Sequence, residues 1–209
     1  MSILKSLKKA LGEPAAAPAS ATDLLRADHK KVKGLFDEFE SSEEAPAKRR
    51  LVESALVELT VHAKLEEELF YPAVRKRLDE SGLVDEAEEE HHVAKILIGE
   101  LAGFKKDAGR FEAKFKVLAE NVRHHIEEEE YEMFAKIEKA DIDLESLGQE
   151  MRERKLRLIE EVTLDSIREE SSIIIREEAP SGGRRSRRAS RGAKSRRMNR
   201  SRARAKAGR

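Results

Sequence analysis

Apolar residues recur at spacings of three and four through most of the region between residues 22 and 161. This period places them on one face of an α-helix, and the scarcity of glycine and proline between residues 22 and 140 also favours helices. The pattern predicts four long helices, over residues 22–41, 47–78, 83–106 and 109–140, and a further helix over 141–161. Thr22 or Asp23 is the predicted cap of the first helix, and Pro72 is expected to bend or break the second.

Short connections between the four long helices predict an up-down four-helix bundle, in which the first helix pairs with the second and the third with the fourth. The predicted fold class is all-α, with the bundle over residues 22–140 and a C-terminal helical extension over 141–179. Residues 161–178 are ambiguous, because three consecutive isoleucines favour a strand whereas the charges around them favour a helix. No function is assigned to that segment.

The two ends of the chain differ from the helical body. Residues 1–21 combine a short cationic amphipathic segment with a Pro/Ala linker, and the amphipathic segment either packs on the bundle or lies on an anionic membrane. Residues 184–209 contain 13 of the 42 Lys and Arg and no Asp or Glu, which leaves 29 basic against 42 acidic residues in 1–183. Residues 180–209 are therefore predicted to be a disordered basic tail. Such a tail either binds nucleic acid or another polyanion nonspecifically or only keeps the protein in solution.

The composition excludes several kinds of site. The chain has no cysteine, so disulfides, thiolate metal sites and cysteine nucleophiles are excluded, and a cytoplasmic location is expected. No apolar run reaches the roughly 18–20 residues that a transmembrane segment needs. Charged residues make up 40% of the chain and aromatic residues 4%, which suits helices with narrow apolar seams better than a large sheet core.

A duplicated histidine pattern is the main indication of function. Two copies of His-x-x-x-Glu lie 63 residues apart, and a lone histidine precedes each by about 33 residues. A histidine and a glutamate four apart project from the same face of a helix, and imidazole with carboxylate forms a ligand set for iron, manganese or zinc. The candidate metal ligands are His29, His62, Glu66, His91, His125 and Glu129.

Adjacent histidines at 91/92 and 124/125 require a choice between helix faces. A seam of alternating three- and four-residue steps passes through each histidine. The seams through His91 and His125 are apolar except at the candidate ligands, whereas the seams through His92 and His124 include charged and polar residues. His91 and His125 are therefore predicted to point inward. The alternative is that these polar groups are ordinary core residues, but burying two carboxylates without a cation would cost several kcal/mol each.

Four histidines and two carboxylates exceed the ligand number of one tetrahedral zinc. They suit two metal ions with chelating or bridging glutamates, and nitrogen and oxygen ligands without thiolate favour iron or manganese. The predicted cofactor is two iron ions, with manganese or a mixed iron–manganese pair as alternatives. Open coordination positions would face an apolar interior that admits a small gas. The predicted walls of that interior are Leu25, Val32, Leu59, Ala94, Ile98 and Val122.

At these residues the chain resembles the hemerythrin-like, HHE cation-binding domain family. The matching segments are ADHKKVKGLFDEFE, LTVHAKLEEELFYP, EEEHHVAKILIGEL and VRHHIEEEEYEMF, and the resemblance covers residues 22–140. It implies a four-helix bundle with a non-haem di-iron centre, whose ligands fall on the six residues above. The family often has proline after both His-x-x-x-Glu motifs, but here Ala135 matches Pro72. This departure is expected to have little effect on the metals.

The resemblance implies a protein that binds or senses a diatomic ligand, O₂ or NO, or iron. The alternatives are a di-iron oxidoreductase acting on peroxide or nitric oxide, and a nucleic-acid-associated protein with a metal-binding bundle. The sequence predicts no general base, substrate pocket or electron-donor site, so enzymatic activity is left open. Tyr71 and Tyr131 each lie near a His-x-x-x-Glu motif. A tyrosine at such a position is either a metal ligand or redox partner, or a packing residue.

Overall fold

The computed structural model describes residues 20–78, 81–104 and 108–178, and these residues form helices without any strand. Five-residue π-helical turns join α2 to α3 (the first π turn, Glu66–Phe70) and α5 to α6 (the second π turn, Glu129–Met133). The predicted N-terminal amphipathic segment and basic tail lie outside the described residues. The helices are α1 Ala21–Ser41, α2 Ala45–Leu65, α3 Tyr71–Arg75, α4 Ser81–Ala102, α5 Ala108–Glu128, α6 Phe134–Ile137, α7 Leu144–Glu161 and α8 Leu164–Glu178.

The helices pair as the sequence predicts. α1 packs on α2 and α4 packs on α5, while contacts of α2 with α4 and of α1 with α5 join the two pairs. Phe115 of α5 meets Phe36 and Phe39 of α1 edge to face, with ring centroids 5.6 and 4.5 Å apart. Such aromatic pairs stabilise a fold beyond the effect of burying apolar area, so these three rings help to hold α1 against α5. None of the described helices is both long and apolar enough to cross a membrane.

α1 begins with a capping box at Ser20. The Ser20 hydroxyl accepts a hydrogen bond from the backbone N–H of Asp23 (3.1 Å), and the Asp23 carboxylate accepts one from the backbone N–H of Ser20 (3.2 Å). This reciprocal arrangement satisfies two amide groups that the first turn would otherwise leave unpaired. The predicted cap, Thr22 or Asp23, was therefore wrong, because both residues already lie inside the helix.

The expected disturbance at Pro72 takes the form of the first π turn. The backbone N–H of Tyr71 bonds to the carbonyl of Glu66, five residues back, so the extra residue is accommodated without breaking the helix. The second π turn repeats this geometry, with the N–H of Phe134 bonded to the carbonyl of Glu129. Since the second turn has Ala135 at the position of Pro72, proline is not required for this backbone conformation.

The two helices of the C-terminal extension pack on the bundle. α7 contacts α1, α2 and the first π turn, and Arg154 of α7 holds Glu68 through two hydrogen bonds of 2.6 and 3.0 Å. The ambiguous segment is helical, as α8. It approaches α4 so closely that a Cβ on Gly99 would lie 2.0 Å from the Cβ of Ser171. The predicted domain division at residue 140 stays a prediction.

Candidate metal centre

The six residues of the duplicated pattern meet inside the bundle, and none is more than 6% exposed. The neighbouring side chain of His124 is 65% exposed, in agreement with the choice of helix face made from the apolar seams. Each of the six comes from a different element. They are His29 on α1, His62 on α2, Glu66 in the first π turn, His91 on α4, His125 on α5 and Glu129 in the second π turn.

The ring nitrogens of the four histidines form two close pairs. The Nε2 atoms of His29 and His62 are 3.1 Å apart, and those of His91 and His125 are 3.2 Å apart. Each pair comes from the two packed helices of one half of the chain. In the second pair the Nδ1 atoms of both rings bond to carboxylates, so in the neutral rings two Nε2 lone pairs face each other, an arrangement that favours a cation between them.

Glu66 lies between the two histidine pairs. Its Oε2 atom is 3.1 Å from the Nε2 of His62 and 3.3 Å from the Nε2 of His91. One carboxylate oxygen therefore faces an imidazole from each half of the chain. The side chain is fully buried, and neither of its oxygens has a hydrogen-bond partner.

Glu129 occupies the corresponding position on the other side. Its Oε2 atom is 3.4 Å from the Nε2 of His29 and 3.6 Å from the Nε2 of His125, and it too lacks a hydrogen-bond partner. Its other oxygen accepts a hydrogen bond of 2.9 Å from the hydroxyl of Tyr71, which lies 3.3 Å from the Nε2 of His91. Tyr71 thus orients this carboxylate.

Each π turn also supplies a second carboxylate, which supports the lone histidine of the opposite half. Glu67 accepts a hydrogen bond of 2.8 Å from the Nδ1 of His91, and Glu130 accepts one of 2.8 Å from the Nδ1 of His29. A carboxylate on Nδ1 fixes the ring orientation and leaves Nε2 facing the centre. The wider π turn therefore allows two consecutive glutamates to serve the site, one directly and one through a histidine.

The other two histidines have carboxylate neighbours on the helices of the lone histidines. Glu90 accepts a hydrogen bond of 2.7 Å from the Nδ1 of His125. Asp28 lies 3.7 Å from the Nδ1 of His62, and Lys155 of α7 forms an ion pair with Asp28. The C-terminal extension thereby contacts the surroundings of the site.

Sequence reasoning missed these four supporting carboxylates, although a signal for them was present. An acidic residue directly precedes each lone histidine, and a second glutamate directly follows each His-x-x-x-Glu motif. The duplicated pattern is therefore longer than the six residues first singled out. The four supporting residues are Asp28, Glu67, Glu90 and Glu130.

The electrostatics of the centre favour positive charge. Burial by itself would lower the pKa of His62, but Glu66 and Asp28 outweigh burial and raise that pKa to about 10. Burial likewise opposes ionisation of His91, whereas Glu66 and Glu67 raise its pKa to about 9. Burial would raise the pKa of Glu66, yet the neighbouring imidazoles hold it well below its usual range. Without metal, protons on the imidazoles neutralise the buried carboxylates.

The donor set fits two cations. The donor atoms divide into a group from His29, His62, Glu66 and Glu129 and a group from Glu66, His91 and His125, with the atoms of each group within 4.8 Å of one another. Two ligands at right angles on an ion with bonds of ~2.1 Å are ~3.0 Å apart, close to the observed spacings. Bound cations would also satisfy the buried oxygens of Glu66 and Glu129, which otherwise pay for desolvation without a partner.

A cavity of about 160 Å³ lies beside the histidine nitrogens. The ion pair Lys64–Glu170, at 3.1 Å, joins α2 to α8 at its edge. Leu25, one of the predicted walls, is buried in the core but does not line this cavity. The apolar walls are Val32, Leu59, Ala63, Ala94, Ile98, Val122 and Ile126 from the bundle and Ile167 and Ile174 from α8.

The two tyrosines have different surroundings. Tyr71 is fully buried, whereas Tyr131 is 79% exposed. Burial raises the pKa of Tyr71 well above its usual range, and Glu129 raises it further. Tyr71 therefore donates a proton in a hydrogen bond rather than ionising, and Tyr131 has no part in the centre.

Comparisons with known proteins identify one domain family. The family model described as hemerythrin HHE cation binding domain matches residues 20–137. The crystal structure of a hemerythrin HHE cation binding domain-containing protein from Mycobacterium kansasii superposes with a TM-score of 0.60, covering 75% of this chain and 98% of that one at 23% identity. At this identity the likeness concerns the fold alone.

Two curated relatives match this chain over only part of their own length. A DNA nickase from Nostoc sp. is 33% identical over 115 residues, which cover 55% of this chain and 32% of the nickase. An uncharacterized hemerythrin-like protein from Schizosaccharomyces pombe is 27% identical over 128 residues, which cover 60% of this chain and 63% of the relative. The chain thus covers less than two thirds of either relative.

Proposed function

The chain belongs to the hemerythrin HHE cation-binding domain family, whose members bind metal cations, typically iron, and we propose that it is a di-iron protein that binds or senses a diatomic ligand, O₂ or NO. The observation that carries this proposal is the pair of buried carboxylates, Glu66 and Glu129, each set between imidazoles of both halves without a protein partner for the inward oxygen. Manganese, or one iron with one manganese, would satisfy the same donors.

In this proposal each histidine pair would hold one ion, and the two glutamates, each of which faces both pairs, would belong to both ligand sets. Bound iron would supply open coordination positions and a change of oxidation state. The chain itself orients the ligands, through Tyr71 on Glu129 and through the supporting carboxylates on the imidazoles. The proposed metal ligands are His29, His62, Glu66, His91, His125 and Glu129.

The neighbouring cavity supports a small uncharged ligand. Most of its wall surface is apolar, and about 160 Å³ is ample for a diatomic molecule but small for an organic substrate. An uncharged ligand loses less hydration on entering such a cavity than a charged one. Sensing of iron itself, and oxidoreductase activity on peroxide or nitric oxide, are the alternatives that the following experiments separate.

Adding O₂ or NO to the anaerobic, iron-loaded protein is expected to produce a new absorption band in the near-ultraviolet or visible range, because the six side chains leave coordination positions open. The measurement is an anaerobic titration followed by absorption spectroscopy, with the Glu66→Ala variant as the control that should show no band. A spectrum unchanged by both gases would contradict the proposal. Repeated turnover of added peroxide would instead support the oxidoreductase.

Loading metal-free protein with Fe²⁺ at pH 7 is expected to release about two protons per chain, since an imidazole must be neutral to ligate. The pKa values of His62 and His91, about 10 and about 9, both exceed 7, so both rings hold a proton before metal binds. Apparent affinity should therefore rise with pH, level off above these values, and fall in acid. Calorimetry in buffers of different ionisation enthalpy measures the protons released.

The matched control for proton release is His62→Gln, which should take up one ion fewer and release one proton fewer. Binding of two ions at pH 7 without proton release would contradict the assignment of these histidines as ligands.

We also propose that residues 184–209 bind nucleic acid phosphates. This segment contains 13 Lys and Arg and no acidic residue, and one relative is named a DNA nickase. It contains no aromatic residue, so base stacking is not expected. Binding of this kind lacks sequence preference, because it depends on release of counterions from the phosphates.

Deleting residues 184–209 is expected to abolish duplex binding and to leave metal content and helicity unchanged. In the full chain, binding should weaken steeply with salt, by a logarithmic slope of about 0.9 for each phosphate neutralised. Fluorescence anisotropy with two unrelated duplexes measures both effects, and a chain with the tail residues in scrambled order is the matched control that should still bind. Salt-insensitive or sequence-specific binding would contradict this interpretation.

A further inference from the structure

A second group of metal-binding side chains lies at the surface beside the proposed centre. Donor atoms of Glu90, His124 and Glu128 lie within 4.8 Å of one another. The Nε2 of His124 is 3.3 Å from a carboxylate oxygen of Glu128, one turn away on α5, and these side chains are 65% and 38% exposed. Glu90 comes from α4, so the group bridges two packed helices. None of the three is among the six proposed ligands.

An acidic cavity of about 100 Å³, lined by Glu90 and Glu128 of this group, reaches the buried centre. Its walls include the exposed Glu86 and Glu132 at one end and the buried His125 and Glu129 at the other. No lysine or arginine is among its described lining residues. The volume exceeds the roughly 10–15 Å³ that one water requires, so a cation with part of its hydration shell fits.

Glu129, a proposed ligand of the centre, also lines this cavity. It is 2% exposed, and its Oε2 has no hydrogen-bond partner. A buried carboxylate oxygen without a donor is costly unless a cation is present. The cavity therefore leads from an exposed group of weak ligands to a buried oxygen that needs positive charge.

The larger cavity beside the histidine nitrogens has a different lining. Most of its wall surface is apolar, and Lys64 and Lys95 partly balance the charge of its glutamates, which are Glu67, Glu90 and Glu170. A cavity lined by carboxylates without lysine or arginine concentrates cations more strongly than one of mixed charge. The smaller cavity is therefore the one that better suits a cation.

We propose that Glu90, His124 and Glu128 form an uptake site for a divalent transition-metal ion, which is held there before it passes along the acidic cavity to Glu129 and His125. The inference rests on the proposed dinuclear centre. Three partly exposed ligands bind an ion weakly enough to release it, and the fully buried donor set retains it. Glu90 belongs to both sites, because it also accepts a hydrogen bond from His125.

The test is the rate at which the metal-free full chain takes up Fe²⁺ under anaerobic conditions. Samples are quenched at set times with a coloured chelator that traps unbound iron. In the double variant His124→Ala, Glu128→Gln, uptake is expected to slow about tenfold, the lower end of electrostatic focusing effects, while the final content stays equal to that of the wild type. Glu127→Gln removes one charge from the same turn of α5 at an exposed position outside the cavity, and should load at the wild-type rate.

Three results would overturn the uptake site. Equal rates in the wild type and the double variant would exclude it and leave the proposed centre intact. Equal slowing in Glu127→Gln would show that net charge alone sets the rate. Failure of the wild type to take up any iron would exclude the centre and the uptake site together. Helicity is checked first, and if the double variant is unfolded, His124→Ala alone is judged by the same criteria.

Discussion

Replacing Glu66 with alanine is expected to abolish binding of both metal ions, whereas replacing His62 with alanine should remove one. The reason is that one oxygen of Glu66 lies 3.1 Å from the Nε2 of His62 and 3.3 Å from that of His91, so this carboxylate would ligate both ions. The measurement is the metal content of anaerobically reconstituted protein after gel filtration, with circular dichroism to verify the fold.

Substitutions at two other glutamates are expected to affect metal binding less than Glu66→Ala. Glu67→Ala removes the carboxylate on the Nδ1 of His91, and loss of such a supporting group should weaken metal affinity by about 10–100-fold without removing a ligand. Glu127→Ala, at an exposed position, should change nothing. Two tightly bound ions in Glu66→Ala would contradict a shared role of Glu66 and leave the four histidines and Glu129 as the proposed ligands.

Replacing Gly99 with alanine is expected to displace α8 from the bundle. The added Cβ would lie 2.0 Å from the Cβ of Ser171 and 2.2 Å from its hydroxyl oxygen, and a Cβ cannot rotate away. Overpacking of this kind costs about 1–3 kcal/mol. The free energy for opening of α8, measured by amide hydrogen exchange, should fall by about that amount. Because Ile167 and Ile174 of α8 line the larger cavity, chelators should also remove iron faster.

The partner substitution Ser171→Gly makes this prediction specific. It removes the clashing Cβ at the cost of a helix glycine, about 1 kcal/mol, so the double variant Gly99→Ala, Ser171→Gly should regain much of the lost protection. Gly34→Ala is the matched control, because a Cβ at Gly34 meets no atom within 4 Å and should stabilise α1 by about 0.5–1 kcal/mol. Independent, additive effects of the Gly99 and Ser171 substitutions would contradict the direct contact.

Both predictions concern a site whose surroundings the C-terminal extension contacts. The family match ends at residue 137, yet Lys155 of α7 pairs with Asp28 beside His62, and α8 supplies part of the cavity wall. The bundle brings the candidate ligands together, and the two following helices pair with one supporting carboxylate and line part of the neighbouring cavity.

Much of the fold followed from the sequence, because helix formation and helix faces are local properties. A period of 3.6 residues separates the inward from the outward side of each helix, which was enough to distinguish His91 from His92 and His125 from His124. The same period predicted the four long helices and the burial of all six candidate ligands. The short connections between the helices predicted their pairing. Their role as metal ligands is what the loading experiments test.

Only the tertiary structure decided how those residues are arranged around one another. The position of Glu66 between His62 and His91 depends on the packing of α2 against α4, and the contact of Lys155 with Asp28 joins positions 127 residues apart. The π turns also escaped prediction, since a shift of the hydrogen bond from four to five residues leaves hardly any trace in the apolar pattern. The sequence by itself determined which side chains face inward, because that depends on spacing along one helix. The structure decided which of them lie close to one another, because that depends on distances between helices.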